Sequence, residues 1–338
     1  MYGHIMPTTV YGGTDMNISV IGPGPMADKF TNTLHLIPEI ELYGVASRSL
    51  ERAQEFANRH GYKKAYGSAA ELVDDPNVQL VYISTPHSQH FDDMKLCVEN
   101  GKAVLCEKAF TINAQQAREI KELAEKNNVF VAEAIWTRYM PSRDIINNLL
   151  DEGVIGEVTT LTANLCYPVT AKPRIMDPEL AGGALLDIGV YGINFALMHF
   201  GNEIERIESS VKMTNTGVDE METITMYFKN GKMAVITSSI LSRSDRQGVF
   251  YGDKGYMIVD NINNPLCIRI YDTEDNLIRE VGVPEQISGY EYQALECVSA
   301  LENGLKESKS MPLNDTIFVM EIMDTLRKQW GMVYPQEQ

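Results

Sequence analysis

The feature that most restricts how this chain can fold is its regular alternation of apolar runs and amphipathic stretches over about the first 138 residues. The strand-like runs are "NISVI" (17–21), "ELYGVAS" (41–47), "LVYIST" (80–85), "AVLCE" (103–107) and "VFVAEAI" (129–135). Of these, "LVYIST" is continuously apolar, as in a strand covered on both faces. Helical stretches lie between them, such as "SLERAQEFANRHG", closed by Gly61 as the residue after the helix, and "NAQQAREIKELAEKNN". Alternating strand and helix predicts a doubly wound parallel sheet.

After the helix "SRDIINNLLDEG" the pattern changes. "EVTTLTANLCY", "ERIESSVKMT", "ETITMYFKNG", "KMAVITSSI" and "GYMIVD" follow mostly strand on strand. Their alternation predicts an antiparallel or mixed sheet with one covered face, with "YEYQALECVSALENGL" and "LNDTIFVMEIMDTLRKQWG" as closing helices. A chain of 338 residues exceeds one typical core. The reading divides it into an extension (1–15), an α/β domain (16–138) and an α+β domain (139–338). The extension lacks the layout of a signal peptide, and Met16 is a candidate internal start.

Composition removes several function classes. The net charge of −17 disfavours a nucleic-acid partner, whose phosphates need clustered cations. No unbroken apolar run reaches about 18 residues, so no membrane partner is expected. Cys97, Cys106, Cys166, Cys267 and Cys297 are odd in number and form no C-x-x-C pair. That argues for reduced thiols in a cytoplasmic setting and against a metal site or a disulfide scaffold.

"VIGPGPMA" places Gly22-x-Gly24-x-x-Ala27 between the first strand and its helix. The first glycine permits a tight turn, the second lets backbone approach a pyrophosphate, and Ala27 lets helix pack on strand. Pro25 suits a first helical turn, and the free N–H groups near Met26 and Ala27 favour an anion. The second strand ends in Ser47-Arg48-Ser49, with Arg52 one turn on. Two guanidinium groups and a hydroxyl suit the 2′-phosphate of NADP, where an acidic residue would suit NAD. NADP is the expected cofactor, with NAD as the alternative.

These motifs, together with "VASRSLERAQEFA", "VYISTPHSQH", "GKAVLCEKAF", "AEAIWTRYMP", "DPELAGGALLDIGVYGINF" and "TGVDE", resemble the Gfo/Idh/MocA oxidoreductase family. The likeness runs from residue 17 to about 330 and favours the branch of dimeric dihydrodiol dehydrogenase and NADP-dependent D-xylose dehydrogenase. It implies a Rossmann domain, a second domain with a large open sheet often used for dimerisation, and hydride transfer between nicotinamide and an alcohol or carbonyl carbon. By the same resemblance Lys108 and Glu107 fall on the family's E-K-P motif, and Arg48 and Arg52 on arginines that bind the NADP phosphate. Asp187 and Tyr191 fall on the branch's catalytic pair. Trp136 and Arg138 match a segment near the nicotinamide and substrate, and Thr85, Pro86, His87 and His90 lie along the cofactor. A small-molecule sugar, polyol or cyclic diol is the implied substrate.

Carbonyl reduction needs a hydride on carbon and a proton on oxygen, and Tyr191 is the expected proton donor. A nearby Lys108 ammonium should bring its pKa down from about 10. Asp187, four residues before Tyr191, should face the same cleft and orient substrate or lysine. Read singly, Tyr191 would be a packed aromatic, Asp187 a helix cap, and His87 and His90 helix-start hydrogen-bonding residues. Lys108 resists such a reading, because a cation at a buried strand end has no structural need.

The sequence departs from the family at Ala109, where proline often follows a cis peptide. A non-proline cis bond costs about 2.5–4 kcal/mol, so the Lys108–Ala109 bond is expected to be trans, with Lys108 reaching the cleft by an altered turn. A displaced lysine would instead make the chain a nucleotide-sensing regulatory protein on the same fold. Tyr167, Arg174 and Arg243 are candidates for lining the substrate cleft.

Overall fold

The computed structural model describes residues 16–338, so the extension read at 1–15 lies outside the described residues. The first half runs β1 (Met16–Ile21), α1 (Pro25–Leu34), β2 (Ile40–Ala46), α2 (Leu50–His60), β3 (Lys64–Tyr66) and α3 (Ala69–Val73). It continues through β4 (Leu80–Ile83), α4 (His87–Glu99), β5 (Ala103–Glu107), α5 (Ala114–Asn127) and β6 (Val131–Ala134). The strands form one parallel sheet in the order β3-β2-β1-β4-β5-β6. That order reverses between β1 and β4, and doubly wound sheets bind ligands in the crevice at such a reversal. Every residue of β4 is fully buried, as its unbroken apolar run predicts. Local signals set the helix ends. Ser49, Ser68 and Asn113 accept hydrogen bonds from the first turns of α2, α3 and α5, and Gly61 ends α2 at φ 72°.

The second half begins with a 3-10 turn at Trp136–Arg138, then α6 (Pro141–Asp151), β7 (Val158–Cys166) and the short α7 (Pro173–Met176). A π-turn at Leu185–Gly189 runs into α8 (Val190–Phe200). Seven strands follow: β8 (Ile204–Met213), β9 (Asp219–Phe228), β10 (Met233–Ser239), β11 (Gly248–Gly252), β12 (Gly255–Val259), β13 (Cys267–Tyr271) and β14 (Leu277–Gly282). With β7 they make an eight-stranded sheet in the order β14-β13-β12-β11-β7-β10-β9-β8, antiparallel except at β7–β10. This is the open, mostly antiparallel sheet the strand-on-strand pattern predicts. Alternate residues such as Ile224, Met226 and Phe228 are buried beneath α8 and its neighbours, while Thr223, Tyr251 and other outward residues stay open.

The two halves interlock. α9 (Glu291–Glu302) returns to the first half, where Ala294, Cys297 and Ala300 share a core with Phe30 and Leu34 of α1. α10 (Leu313–Trp330) lies along α5 and ends at Gly331, φ 68°. Arg327 of α10 donates to the carbonyl of Ile112, clasping the parallel-sheet half. The stretch Pro178–Phe200 has the length and mean hydropathy (1.5) of a membrane-crossing helix, although the polar Asp187 and Asn194 interrupt it. Most of it is buried inside the second half, as a core helix would be.

Candidate active site

The glycine turn after β1 is held from both neighbouring strands. Gly22 N–H donates to the Ala46 carbonyl at 3.1 Å, and Ser84 Oγ donates to the Gly22 carbonyl at 2.8 Å. Gly22 has φ 89°, and a Cβ there would lie 2.9 Å from the Thr85 amide nitrogen, so no other residue fits without strain. Gly24 is extended and begins α1 without a side-chain cap, leaving the first-turn N–H groups at Met26 and Ala27 open to an anion. Ala27 is fully buried against the sheet. Beyond β2, Ser47 Oγ accepts from Ser49 N–H at 3.3 Å. Arg48 and Arg52 are exposed, and neither has an ion-pair partner among the described residues. A backbone cradle that a Cβ would fill, beside two unengaged guanidinium groups, fits a dinucleotide carrying an extra phosphate.

The loop after β4 bears the next group. Thr85 Oγ1 donates to Asp93 Oδ2 at 2.7 Å, and Pro86 occupies the cap position of α4. His87 Nδ1 donates to the Ala181 carbonyl at 2.9 Å. His90 has the Ala109 carbonyl 2.8 Å from Nδ1 and the Thr85 carbonyl 2.9 Å from Nε2, of which a neutral ring donates to one. Burial pulls His87 down to about 3 and His90 down to about 4, so both rings are neutral braces. Both rings thus bond loop carbonyls, His87 reaching across to Ala181, and neither caps the first turn of α4.

Lys108 follows β5, and here the structure corrects an expectation. The Lys108–Ala109 peptide is cis, not trans. Ala109 is fully buried with its carbonyl 2.8 Å from His90 Nδ1, and the lysine reaches Asp187. Its ammonium donates to the Asp187 carbonyl at 2.6 Å and to Asp187 Oδ1 at 3.3 Å. It also lies 5.0 Å from the Tyr191 ring centroid. The displaced lysine on which the regulatory reading rested is absent. Glu107, one residue earlier, is buried and accepts from Tyr82 Oη at 2.5 Å, and burial pushes its carboxyl up.

Asp187 sits in the π-turn rather than in a regular α-helical turn. The Val190 N–H bonds back to Leu185, an i→i+5 closure. Arg174 Nη2 donates to Asp187 Oδ1 at 3.0 Å. Burial pushes the Asp187 carboxyl up, but the Lys108 and Arg174 charges outweigh it and hold it well below the usual carboxylate range. The opposite holds at Tyr191. Burial first, then the neighbouring Tyr290 and Glu107, push its phenol well above its ordinary value. The expected lowering by Lys108 does not prevail: the ammonium is hydrogen-bonded to Asp187 and makes no hydrogen bond to the Tyr191 hydroxyl, so burial dominates.

Trp136 stacks on Tyr290 with ring centroids 4.2 Å apart, and its Nε1 has no hydrogen-bond partner. Gly289 (φ 97°) permits this approach, since a Cβ there would lie 2.7 Å from the indole. Tyr290 was missed in the sequence. Its only signal is an aromatic placed directly before a helix, in "GYEY". Arg138 departs from expectation. Its buried guanidinium donates to Asn194 Oδ1 at 2.7 Å and to Asp315 Oδ2 at 3.0 Å, bracing α8 against α10 instead of facing the cleft. Of the candidate cleft residues, Arg174 joins the site and Tyr167 accepts from Asn263 Nδ2 at 3.3 Å. Arg243 is exposed, with no ion-pair partner among the described residues.

A dinucleotide-type glycine turn together with a half-buried cluster of lysine, aspartate and tyrosine is the equipment of a nicotinamide-dependent oxidoreductase acting on CH–OH groups. Residues 16–134 match the oxidoreductase family with an NAD-binding Rossmann fold, and residues 145–258 match the GFO/IDH/MocA C-terminal domain. The chain belongs to the Gfo/Idh/MocA family. It is 34% identical over 324 residues to trans-1,2-dihydrobenzene-1,2-diol dehydrogenase of Xenopus laevis, covering 94% of this chain and 98% of the relative. The Homo sapiens enzyme of the same name is also 34% identical, over 328 residues with the same coverage. Among solved structures, the fold is similar to KijD10, a 3-ketoreductase from Actinomadura kijaniata in complex with NADP and TDP-benzene. That likeness has a TM-score of 0.87 at 23% identity and covers 93% of this chain and 98% of the other. Levoglucosan dehydrogenase in complex with NADH and levoglucosan gives a TM-score of 0.83 at 18% identity, covering 96% and 100%.

Proposed function

We propose that this chain is an NADP-dependent oxidoreductase acting on a sugar, polyol or cyclic diol, with Tyr191 as proton donor and acceptor and Lys108 as its assistant. The observation that carries the reading is the convergence of Lys108, Asp187 and Tyr191 from the two halves of the chain. Nicotinamide supplies or accepts the hydride. Gly22, Gly24, Met26 and Ala27 would hold the pyrophosphate, and Arg48, Arg52 and Ser47 the 2′-phosphate. Glu107, Thr85 and Trp136 would line the remainder of the groove.

The raised phenol keeps Tyr191 protonated at neutral pH, the form that donates to a nascent alkoxide during reduction. Lys108 opposes the charge left on the phenolate, and Asp187, clamped by Lys108 and Arg174, fixes the ammonium beside the ring. In oxidation the tyrosinate takes the alcohol proton, and the raised pKa leaves little tyrosinate at neutral pH to do so. The stacked Trp136–Tyr290 pair would give the substrate a flat apolar wall. NADPH consumption with a panel of aldoses and diketones tests the reading, and no turnover with any of them counts against it.

The open face of the eight-stranded sheet, with Thr223, Tyr251 and Tyr256 pointing outward, supports a homodimer through that face. Sedimentation of the purified chain tests this directly. The five cysteines are all free, which supports a reducing, cytoplasmic setting.

A further inference from the structure

The segment before α9 ties the two halves of the chain together. Gln286 Nε2 donates to Asn264 Oδ1 at 2.6 Å, in the loop between β12 and β13. Two residues on, the hydroxyls of Ser288 and Thr33 lie 2.7 Å apart, and Thr33 belongs to α1, the helix that opens on the glycine turn. The backbone then passes Gly289 and brings Tyr290 onto Trp136. Trp136 lies two residues beyond Ala134, which pairs with Glu107 at the end of β5, so it stands at the same sheet edge as Lys108. Its 3-10 turn packs on α8, which carries Tyr191. The strap at 286–290 therefore sets one wall beside the reacting cluster.

Glu291, the first residue of α9, shapes that strap. Its carboxylate accepts the N–H groups of Ile287 at 2.7 Å, Ser288 at 3.1 Å and Gly289 at 2.7 Å. An acid in the first turn of a helix ordinarily meets the free amides of that helix. This one turns back and gathers three successive amides of the preceding segment around one charge, a backbone concavity suited to an anion. Glu291 is 5% exposed, so the amides replace the water its charge has lost. Ser288 completes the arrangement, its Oγ accepting the Tyr290 N–H at 3.2 Å.

We propose that Glu291 is a positioning residue for the substrate wall: by holding the amides of Ile287, Ser288 and Gly289 it keeps the Tyr290 ring stacked on Trp136. The proposal rests on the reading that this stacked pair lines the substrate site. Glu291 acts through Tyr290 and not on the reacting atoms. A wall fixed before the substrate arrives spares the ordering of a loose aromatic on binding. Losing the geometry of one aromatic pair corresponds to about a three- to tenfold loss of substrate affinity.

The full chain with NADPH, and an aldose or diketone that the wild type reduces, tests it. Glu291→Gln keeps the side-chain size but turns one acceptor oxygen into a donor, and Glu291→Ala removes both oxygens. Ser288→Ala is a milder change that releases the Tyr290 amide and the tie to α1. The chain has two tryptophans, Trp136 and Trp330, so a Trp330→Phe background leaves Trp136 as the sole indole. Tyr290→Ala in that background supplies the emission of the unstacked ring. Glu291→Gln and Ser288→Ala are expected to move the emission towards that reference and to raise KM about three- to tenfold. Glu291→Ala should raise KM further, while kcat and the NADPH dissociation constant stay within about twofold in all three.

Wild-type emission and KM in folded Glu291→Gln overturn the proposal; if that variant does not fold, the same result in Ser288→Ala does. Parallel losses of kcat and NADPH affinity would mean a role in the fold alone, and overturn it too. A moved emission with unchanged KM detaches the stacked pair from the substrate, and the proposal falls with the wall reading. No turnover by the wild type sinks the functional reading itself, whereas unmoved emission in an active enzyme sinks this proposal alone.

Discussion

The ammonium of Lys108 lies 2.6 Å from the carbonyl oxygen of Asp187, joining the end of β5 to a π-turn 79 positions away. The contact is available because a π-turn loosens the regular helical bonding around Asp187. It sets the amine against the face of Tyr191, and the chemistry of the site depends on that placement.

Replacing Tyr191 by phenylalanine should cut kcat/KM by about 10²- to 10⁴-fold while leaving NADPH affinity nearly unchanged, because only the proton carrier is lost. Lys108→Met should cause a comparable loss. In the wild type the rate of alcohol oxidation should climb with pH into the alkaline range, since the raised Tyr191 phenol must first ionise. A profile that is flat above neutrality, or a Tyr191→Phe variant of undiminished rate, contradicts the assignment.

Arg52→Ala should raise the NADPH dissociation constant about 10- to 100-fold, the worth of one charge-assisted hydrogen bond to a phosphate, and change NADH little. Fluorescence titration of both nucleotides reads this out. Equal weakening of both would point to a fold defect or to a different role for the side chain.

Glu133 offers a stability test. Neither of its carboxyl oxygens has a hydrogen-bond partner, and burial pushes it up from 4.5 to about 7. An acid raised in the folded state binds its proton more tightly there than in the unfolded chain. Stability from this group is therefore full below about pH 4.5 and declines as pH rises towards 7. Glu133→Gln should be more stable than wild type at about pH 8, by on the order of 1–3 kcal/mol, and indistinguishable at about pH 4.5. Thermal melts at both values decide it; an equal shift at each would exclude ionisation as the cause.

Gly189 closes the π-turn against the buried carboxyl of Glu222, and a Cβ there would lie 2.6 Å from Glu222 Oε1. Gly189→Ala should cost about 1–3 kcal/mol by overpacking and lower kcat by shifting Asp187 away from Lys108. Denaturant melts beside initial rates check this. Wild-type stability and rate together would mean that the turn yields freely.

Where the determinants are local, they were legible in the sequence. The glycine turn, Pro25 at the head of α1, Asn113 capping α5 and the all-apolar β4 each follow from a few adjacent residues. β11, β13 and β14 were not anticipated. β11 is a five-residue run bracketed by glycines and made a strand by pairing with β7 and β12, and β14 is exposed along most of its length. Arg138 misled because a cation in a motif says nothing about its direction, and here it is enclosed between α8 and α10.

By itself the sequence determined the alternation of elements, the phosphate turn and the residue types gathered for acid–base chemistry, because these depend on steric preference and hydrophobic period within a few positions. Only the tertiary structure decided the cis bond after Lys108, the clamp of Lys108 and Arg174 on Asp187, the stacking of Tyr290 on Trp136 and the upward shift of Tyr191. Those depend on burial and on charges brought together from distant positions, and both exist only once the two halves have packed.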